Sequence, residues 1–169
     1  LKLGGLHYQR LVRIENTGWD ESLFGCYTRN PIELQMQWAI EYDKEDFIGK
    51  TAVAQLSLTN ARRKVVGIMP CVNCGDINPS DKVFVDELQV GFIVQAVYSP
   101  AVKNWIALAL IDENYALSDI AGFTIRTVSE NISAKTQSVP FIYNLSLLIN
   151  PTTHSYVDIS KAKSALLIK

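Results

Sequence analysis

The sequence lacks three features that would each suggest a specific kind of partner: a long apolar run, a strong net charge and many cysteines. No stretch approaches the roughly 18–20 apolar residues needed for a membrane-spanning helix. The formal net charge of -1 over 169 residues gives no general attraction to nucleic acid or to an anionic membrane. We therefore expect neither nucleic acid nor a membrane among the partners of this chain.

The few cysteines and histidines do not make a convincing metal site. Cys71 and Cys74 have the spacing of half a zinc knuckle, and Cys26 offers a third thiolate. A structural zinc site needs four ligands, and only His7 and His154 remain to complete it. We predict no metal site and two reduced thiols in a turn. Three cysteines, an odd number, do not form a disulfide framework either, so we expect a cytoplasmic protein.

The remaining composition is typical of a globular protein with a core, because 48% of the residues are apolar and 20% are charged. The charged turn at Asp43-Lys44-Glu45-Asp46 is expected to be solvated, since paired carboxylates act as acid and base only when they are buried together. The first residues lack a Met and the features of a signal peptide. We therefore expect the sequence to start at an internal boundary.

The first 60 residues follow a helix–strand–helix pattern. Leu6 to Glu15 has helical periodicity, and Asn16-Thr17-Gly18 is a plausible stop. Leu34 to Ile40 begins with alternating apolar and polar residues, which predicts a half-buried strand. Gly49 is expected to open a short helix that runs through Leu58, and the polar connector Asn60-Ala61-Arg62-Arg63 is the best internal boundary.

Short β-branched and aromatic runs dominate the sequence after that connector. They are separated by turn residues, a spacing that suggests an all-β barrel or sandwich. The predicted strands are Lys64 to Met69, Lys82 to Val85, Gly91 to Tyr98, Trp105 to Ile111 and Phe123 to Val128. The predicted fold class is therefore mainly β with flanking helices (α+β), in which a closed Greek-key barrel spans about Lys64 to Ile142.

Several segments, taken in order, resemble one enzyme family. They are Gly5 to Glu15, Asn30-Pro31-Ile32-Glu33 with Trp38-Ala39-Ile40 and Phe47-Ile48-Gly49-Lys50, Arg62 to Gly67, Gly91 to Ala109, and Val139-Pro140-Phe141-Ile142. In this order and spacing they are similar to the middle and C-terminal parts of T-protein-type, folate-dependent aminomethyltransferases. The resemblance extends to Tyr143, and Trp38 falls on the tryptophan of a family strand.

The resemblance implies tetrahydrofolate as cofactor and transfer of a one-carbon unit to it from an amine or sulfur donor. The family's Asp near N5 and the Glu on the pterin would belong to segments upstream of this chain, so no catalytic residue is assigned here. The family's pterin-side Arg falls on Gln9, and the next residue, Arg10, is the tentative cofactor-binding residue. Arg10 lies about 100° further around the helix, so it could replace the family's Arg only if the ligand or the helix shifted.

This comparison implies three regions. Residues 1–60 would be a remnant of the folate-binding central region, residues 61–143 the C-terminal barrel domain, and residues 144–169 a tail whose last part, Ser160 to Lys169, could be a helix. The function implied is that of the C-terminal portion of an aminomethyltransferase, inactive by itself. The alternative is a degenerate, non-catalytic barrel that serves as a binding or structural module.

The expected partners follow from the same reading. The missing N-terminal half, or another domain, would pack against residues 6–40. Without it, the stripe of Tyr8, Leu11 and Val12 and the Trp38 strand would expose more apolar surface than a monomer usually tolerates. We therefore expect self-association, most simply as a two-fold homodimer through that segment.

Overall fold

The computed structural model describes residues 5–58 and 62–142. The helices are α1 (Leu6–Glu15), α2 (Glu21–Phe24) and α3 (Lys50–Leu58), with single 3-10 turns at Gln37–Ala39 and Glu113–Tyr115. The strands are β1 (Arg63–Pro70), β2 (Lys82–Val85), β3 (Leu88–Ser99), β4 (Asn104–Asp112), β5 (Ala121–Arg126) and β6 (Asn131–Gln137). The predicted tail over 144–169, with its predicted terminal helix, lies outside the described residues.

The six strands close into an antiparallel barrel in the order β1-β4-β3-β2-β5-β6. β2, β3 and β4 form a meander, and β1 lies beside β4 rather than beside β2, which is the Greek-key arrangement. The barrel closes where β6 pairs with β1, from Gly67↔Gln137 to Pro70↔Ala134. The prediction of a mainly β fold with a closed barrel is confirmed.

The barrel interior is filled by alternate side chains of the strands. Ile68, Val83, Ile93 and Ile125 are all 0% exposed within one continuous cluster. The five predicted runs correspond to β1 to β5. β6 was missed because Ile132 is its only large apolar residue, so its alternation is weak.

α1 ends at the predicted stop through a specific backbone motif. Gly18 N–H donates to the Arg13 carbonyl (2.8 Å), and Thr17 N–H donates to the Ile14 carbonyl (3.2 Å). These two bonds form a Schellman motif, which requires the left-handed conformation that Thr17 adopts (φ 56°). The helix and its predicted end are thus as expected.

The predicted strand at Leu34 to Ile40 is wrong. The Asn30 side chain accepts a hydrogen bond from Ile32 N–H (2.9 Å), and Met36 N–H donates to the Pro31 carbonyl (2.8 Å), so the chain coils into turns. Asn before Pro is a strong start for a helical turn, because the amide caps free N–H groups and Pro presets φ. This local chemistry overrides a short apolar alternation.

The predicted stripe on α1 is partly exposed, since Leu11 and Val12 are half-buried. Ile14 and Glu15 are the buried residues of this helix, whereas Tyr8 is 63% exposed. Trp38 is 83% exposed and Trp19 is 42% exposed. Trp105 is half-buried against the edge of Tyr98.

Candidate functional site

The outer face of α1 holds the residues that the sequence singled out for the cofactor. Gln9 and Arg10 are both exposed, on the side of the helix that faces away from the barrel. The opposite face packs on β3 and β4 through Leu11 and Ile14, which join Phe141 in a second apolar cluster outside the barrel interior. The structure therefore places Arg10 on an open surface, where no described residue makes a polar contact with its side chain.

A buried polar contact joins α1 to the barrel. The Ser99 hydroxyl donates a 2.6 Å hydrogen bond to the Glu15 carboxylate, and both residues are buried. The same hydroxyl accepts a bond from Val102 N–H (3.1 Å). The Glu15 carbonyl also accepts from Phe141 N–H (2.9 Å) and Ile142 N–H (3.4 Å). Glu15 thus fixes the end of α1 to two separate parts of the barrel domain.

A cavity of about 780 Å³ lies between the end of α1, the turns that follow it and the outer wall of the barrel. This volume is within the range of about 300–1,000 Å³ that is usual for ligand pockets. The lining residues are Asn16, Thr17, Gly18, Trp19, Phe24, Leu34, Gln35, Met36, Trp38, Val65, Leu108, Val139 and Pro140.

Local backbone chemistry builds the wall of this cavity. β6 pairs with β1 only from Gly67 onward, so the turn after Pro31 takes its place at Val65. The Glu33 carbonyl accepts from Val65 N–H (2.8 Å), and the Gln35 side-chain amide donates to the Val65 carbonyl. Gln35 is itself left-handed (φ 55°), which directs the chain into Met36 and the exposed Trp38.

The cavity has no acid, base or cation among its described lining residues. Its polar side-chain groups are neutral: the Thr17 hydroxyl, the indole N–H groups of Trp19 and Trp38, and the amides of Asn16 and Gln35, which already donate to the Val12 and Val65 carbonyls. Neither Gln9 nor Arg10 reaches it. Such a site suits an apolar occupant and offers no group for proton transfer.

The thiols and carboxylates that the sequence raised as alternatives are scattered. Within residues 5–58 and 62–142, no three His, Cys, Asp or Glu residues are grouped so that they could hold a metal ion. Cys71 is exposed, and Cys74 is half-buried, where burial, with Glu130 and Asp76 nearby, raises the pKa of its thiol. The turn at 43–46 is exposed, as predicted.

Sequence reasoning missed both the Glu15–Ser99 contact and the cavity. Glu15 and Ser99 are 84 residues apart, and a helix-end Glu ordinarily suggests solvent. A signal was nevertheless present, because both residues belong to segments that matched the family pattern. The cavity was missed because it depends on the coiled turn after Pro31, where a strand was predicted.

The barrel sequence matches a known protein family, and the chain is similar to proteins named aminomethyltransferase. Residues 63–142 match the family model described as the glycine cleavage T-protein C-terminal barrel domain. The aminomethyltransferase of Thermosipho melanesiensis is 28% identical over 114 residues, which are 68% of this chain and 30% of that protein. The aminomethyltransferase of Halalkalibacterium halodurans is 34% identical over 87 residues, covering 52% of this chain and 24% of the relative.

The fold is also found in a solved structure. The crystal structure of glycine cleavage system aminomethyltransferase T from Bartonella henselae superposes with a TM-score of 0.71 at 16% identity. The match covers 82% of this chain and 39% of that one, and at this identity it establishes the fold alone.

The matches cover a small part of each relative, and one of them reaches beyond the barrel of this chain. This chain spans less than a third of the length of the two curated relatives. A match of 114 residues is longer than the whole stretch from residue 63 to residue 169, so the similarity to the Thermosipho protein includes residues upstream of position 63. No helix in the described part of the chain is long and apolar enough to cross a membrane. Residues 63–142 of this chain thus form a barrel that matches the C-terminal barrel domain of the glycine cleavage T-protein.

Proposed function

We propose that this chain is the barrel-bearing portion of a folate-dependent, aminomethyltransferase-like protein. In such a protein a one-carbon unit passes from an amine or sulfur donor to tetrahydrofolate. The observation that supports this role is the family barrel over residues 63–142, together with two relatives named aminomethyltransferase. We place the protein in the cytoplasm, where folate chemistry and reduced thiols are expected.

The chain alone should not catalyse the reaction or bind tetrahydrofolate tightly. The cavity has no charged group among its described lining residues, and Gln9 stands where the family resemblance expects an Arg. An amide cannot supply the charge and the two-pronged geometry of a guanidinium. Arg10 is exposed on the outer face of α1, so it could hold the pterin only if another segment closed over that face.

The outer face of α1 is the surface on which we place that segment. Leu6 and Tyr8 are 78% and 63% exposed there, beside Gln9 and Arg10. An upstream domain, or a separate partner, would cover these side chains and supply the acid that the reaction needs. In its absence we expect two copies to associate through the same face as a two-fold dimer.

Titration of the chain with tetrahydrofolate tests the cofactor proposal. Calorimetry should detect no micromolar binding, because one lost charge-assisted hydrogen bond costs about 1.5–3 kcal/mol and the cavity has no charged group among its described lining residues. Gln9→Arg should not restore binding by itself, and Arg10→Ala should change nothing. Micromolar affinity that depends on Arg10 would show that the barrel portion holds a complete site.

The alternative function is a degenerate barrel module that holds partner domains without catalysis, which the substitution at Gln9 favours. The coding sequence upstream of Leu1 distinguishes the two. An Asp and a Gly-Tyr-Thr-Gly-Glu-like segment there would support the enzyme, whereas an unrelated domain would support the module. Light scattering over a dilution series tests self-association, and a Tyr8→Glu variant should be monomeric if the face of α1 is the contact.

A further inference from the structure

The turn after β1 carries two of the three cysteines of the chain. β1 ends at Pro70, and Cys71 and Cys74 follow it. Cys71 N–H donates to the Ser133 carbonyl (2.8 Å), which continues the pairing of β1 with β6 by one residue. Beyond the turn, Ile77 is 2% exposed in the interior cluster of the barrel. The turn therefore has a fixed strand on one side and a buried anchor on the other.

The far side of the turn is bonded to the same β5–β6 hairpin. The Glu130 carboxylate, in the loop between β5 and β6, accepts a hydrogen bond from Gly75 N–H (2.7 Å). The backbone also bends at Cys71 and Val72. A disulfide needs Cα atoms about 4.4–6.8 Å apart, which three residue steps of extended chain, about 10 Å, would exceed. The bends and the two bonds to one hairpin fold the segment back, so that Cys71 and Cys74 are brought towards each other.

The two thiols differ in their access to solvent. Cys71 is exposed, whereas Cys74 is half-buried and packs against the interior cluster of the barrel. Burial, with Glu130 and Asp76 nearby, raises the pKa of the Cys74 thiol. Because the thiolate is the nucleophile, Cys71 is the residue that reacts first with a molecule from solvent. An accessible cysteine beside a second, resolving cysteine is typical of dithiols that respond to oxidation.

We propose that Cys71 and Cys74 form a redox-active dithiol that reduces low-molecular-weight disulfides of the glutathione class. The Cys71 thiolate attacks one sulfur of the small disulfide, whose S–S bond breaks so that one half leaves as a thiol and the other stays bonded to Cys71. Cys74 then loses its proton and attacks the Cys71 sulfur, which forms the Cys71–Cys74 bond and releases the second half as a thiol. Two electrons and two protons pass from the cysteines to the small disulfide. The inference does not depend on the proposed folate chemistry.

The test starts from the full chain with Cys26→Ser, in which Cys71 and Cys74 are the only cysteines left. The protein is reduced, freed of reductant, incubated with oxidised glutathione and quenched with acid before mass spectrometry. We expect a product that has lost two hydrogen atoms and carries no glutathione. A stable glutathione adduct on this chain, or a disulfide between two chains, would overturn the proposal.

Single replacements in the same background test the order of the two steps. Cys74→Ser should stop at the glutathione adduct of Cys71, because the resolving thiol is gone. Cys71→Ser should form its adduct at least about tenfold more slowly, since its remaining thiol is half-buried and has a raised pKa. Equal rates of adduct formation in the two variants would overturn the assignment of Cys71 as the attacking thiol.

A redox equilibrium shows whether the fold positions the two thiols. In a glutathione buffer, the folded chain should favour the disulfide at least about tenfold more than the chain unfolded in urea. Glu130→Ala removes the acceptor of the Gly75 bond and should move the folded equilibrium towards the unfolded one. Asp76→Ala is the matched control, because it removes the same charge near Cys74 and keeps that bond. A folded equilibrium no more favourable than the unfolded one would overturn the proposal, as would equal responses, or none, to the two replacements.

Discussion

The barrel and the segment that precedes it are stabilised by different interactions, although they are adjacent in the chain. Within the described residues, all but two of the buried hydrophobic side chains lie between Val65 and Phe141; the exceptions are Ile14 and Phe24. The barrel encloses its own core. The preceding segment instead packs on the outside of β3 and β4. It is stabilised by helix caps, turns and a few contacts with the barrel.

That difference explains where function can reside. A closed barrel has no unpaired strand edge and little room inside, so its interior serves stability. The outer wall, together with turns fixed by Asn30, Gln35 and Glu15, creates both the cavity and the open face of α1. The part of the molecule with the smaller core thus forms the surfaces that can meet another molecule.

The largest test of this contrast is a pair of matched truncations. Ile93→Ala empties a fully buried site in the barrel and should lower the free energy of unfolding by about 2–5 kcal/mol. Ile48→Ala makes the same chemical change at a fully exposed site before α3 and should stay within about 0.5 kcal/mol. Urea unfolding measures both. Similar losses would mean that Ile48 is covered in solution and that the segment has a core of its own.

The next prediction concerns the contact between the two regions. Ser99→Ala removes the hydroxyl that donates to Glu15, leaving a buried carboxylate without that donor, and should cost about 1.5–3 kcal/mol. Ser118→Ala, at an exposed site in the barrel domain, is the control.

Amide exchange in Ser99→Ala shows whether the Glu15–Ser99 hydrogen bond stabilises only the attachment of α1 or the whole fold. Amide exchange at the end of α1 should accelerate more than exchange in β2 and β5, because α1 loses its fixed point while the barrel keeps its core. Uniform acceleration throughout the chain would show that the two regions unfold as one unit.

A smaller effect is expected where two strands approach closely. A Cβ added at Gly91 would lie 2.9 Å from the Ile111 Cα and would also collide with the Leu110 carbonyl, so Gly91→Ala should cost about 1–3 kcal/mol. Gly5→Ala, with nothing within 4 Å of the added carbon, should be close to neutral. Thermal unfolding compares them, and a neutral Gly91→Ala would indicate that the β3–β4 pair is looser than its register suggests.

The sequence predicts the barrel better than the segment before it because the barrel's signals are repeated and consistent. β-branched runs, turn residues and alternation such as Phe123 and Ile125 all favour the same architecture. In the segment, one signal opposed another at Leu34 to Ile40: the alternation favoured a strand, whereas Asn30-Pro31 favoured a helical turn. The turn formed instead of the strand, because the Asn30 side chain accepts a hydrogen bond from a backbone N–H directly.

The candidate site was less predictable for a physical reason. The cavity arises from contacts between distant segments, such as Gln35 with Val65 and Glu15 with Ser99. Neither member of these pairs has a local pattern that identifies its partner. The placement of Gln9 and Arg10 on α1 did follow from helical periodicity, and which molecule meets them stays a prediction.

The smallest expected effect tests whether surface polar contacts contribute to the contrast. Asp119 accepts hydrogen bonds from the Ser138 N–H (3.3 Å) and hydroxyl, and these bonds lower the pKa of its carboxyl below the ordinary value of 3.8. A lowered folded-state pKa stabilises the fold above pH 3.8, and this contribution disappears as the pH falls through 3.8 towards the folded-state value.

Asp119→Asn should therefore reduce the unfolding midpoint slightly at neutral pH, and the difference from the wild-type chain should vanish in acid. The exposed Arg29–Glu21 pair (2.7 Å) in the preceding segment provides the comparison, and Arg29→Gln should have a similarly small effect. Urea midpoints recorded across the acid range measure both variants. If either loss of stability approached that of Ile93→Ala, surface contacts rather than buried apolar packing would account for the difference in stability between the barrel and the preceding segment.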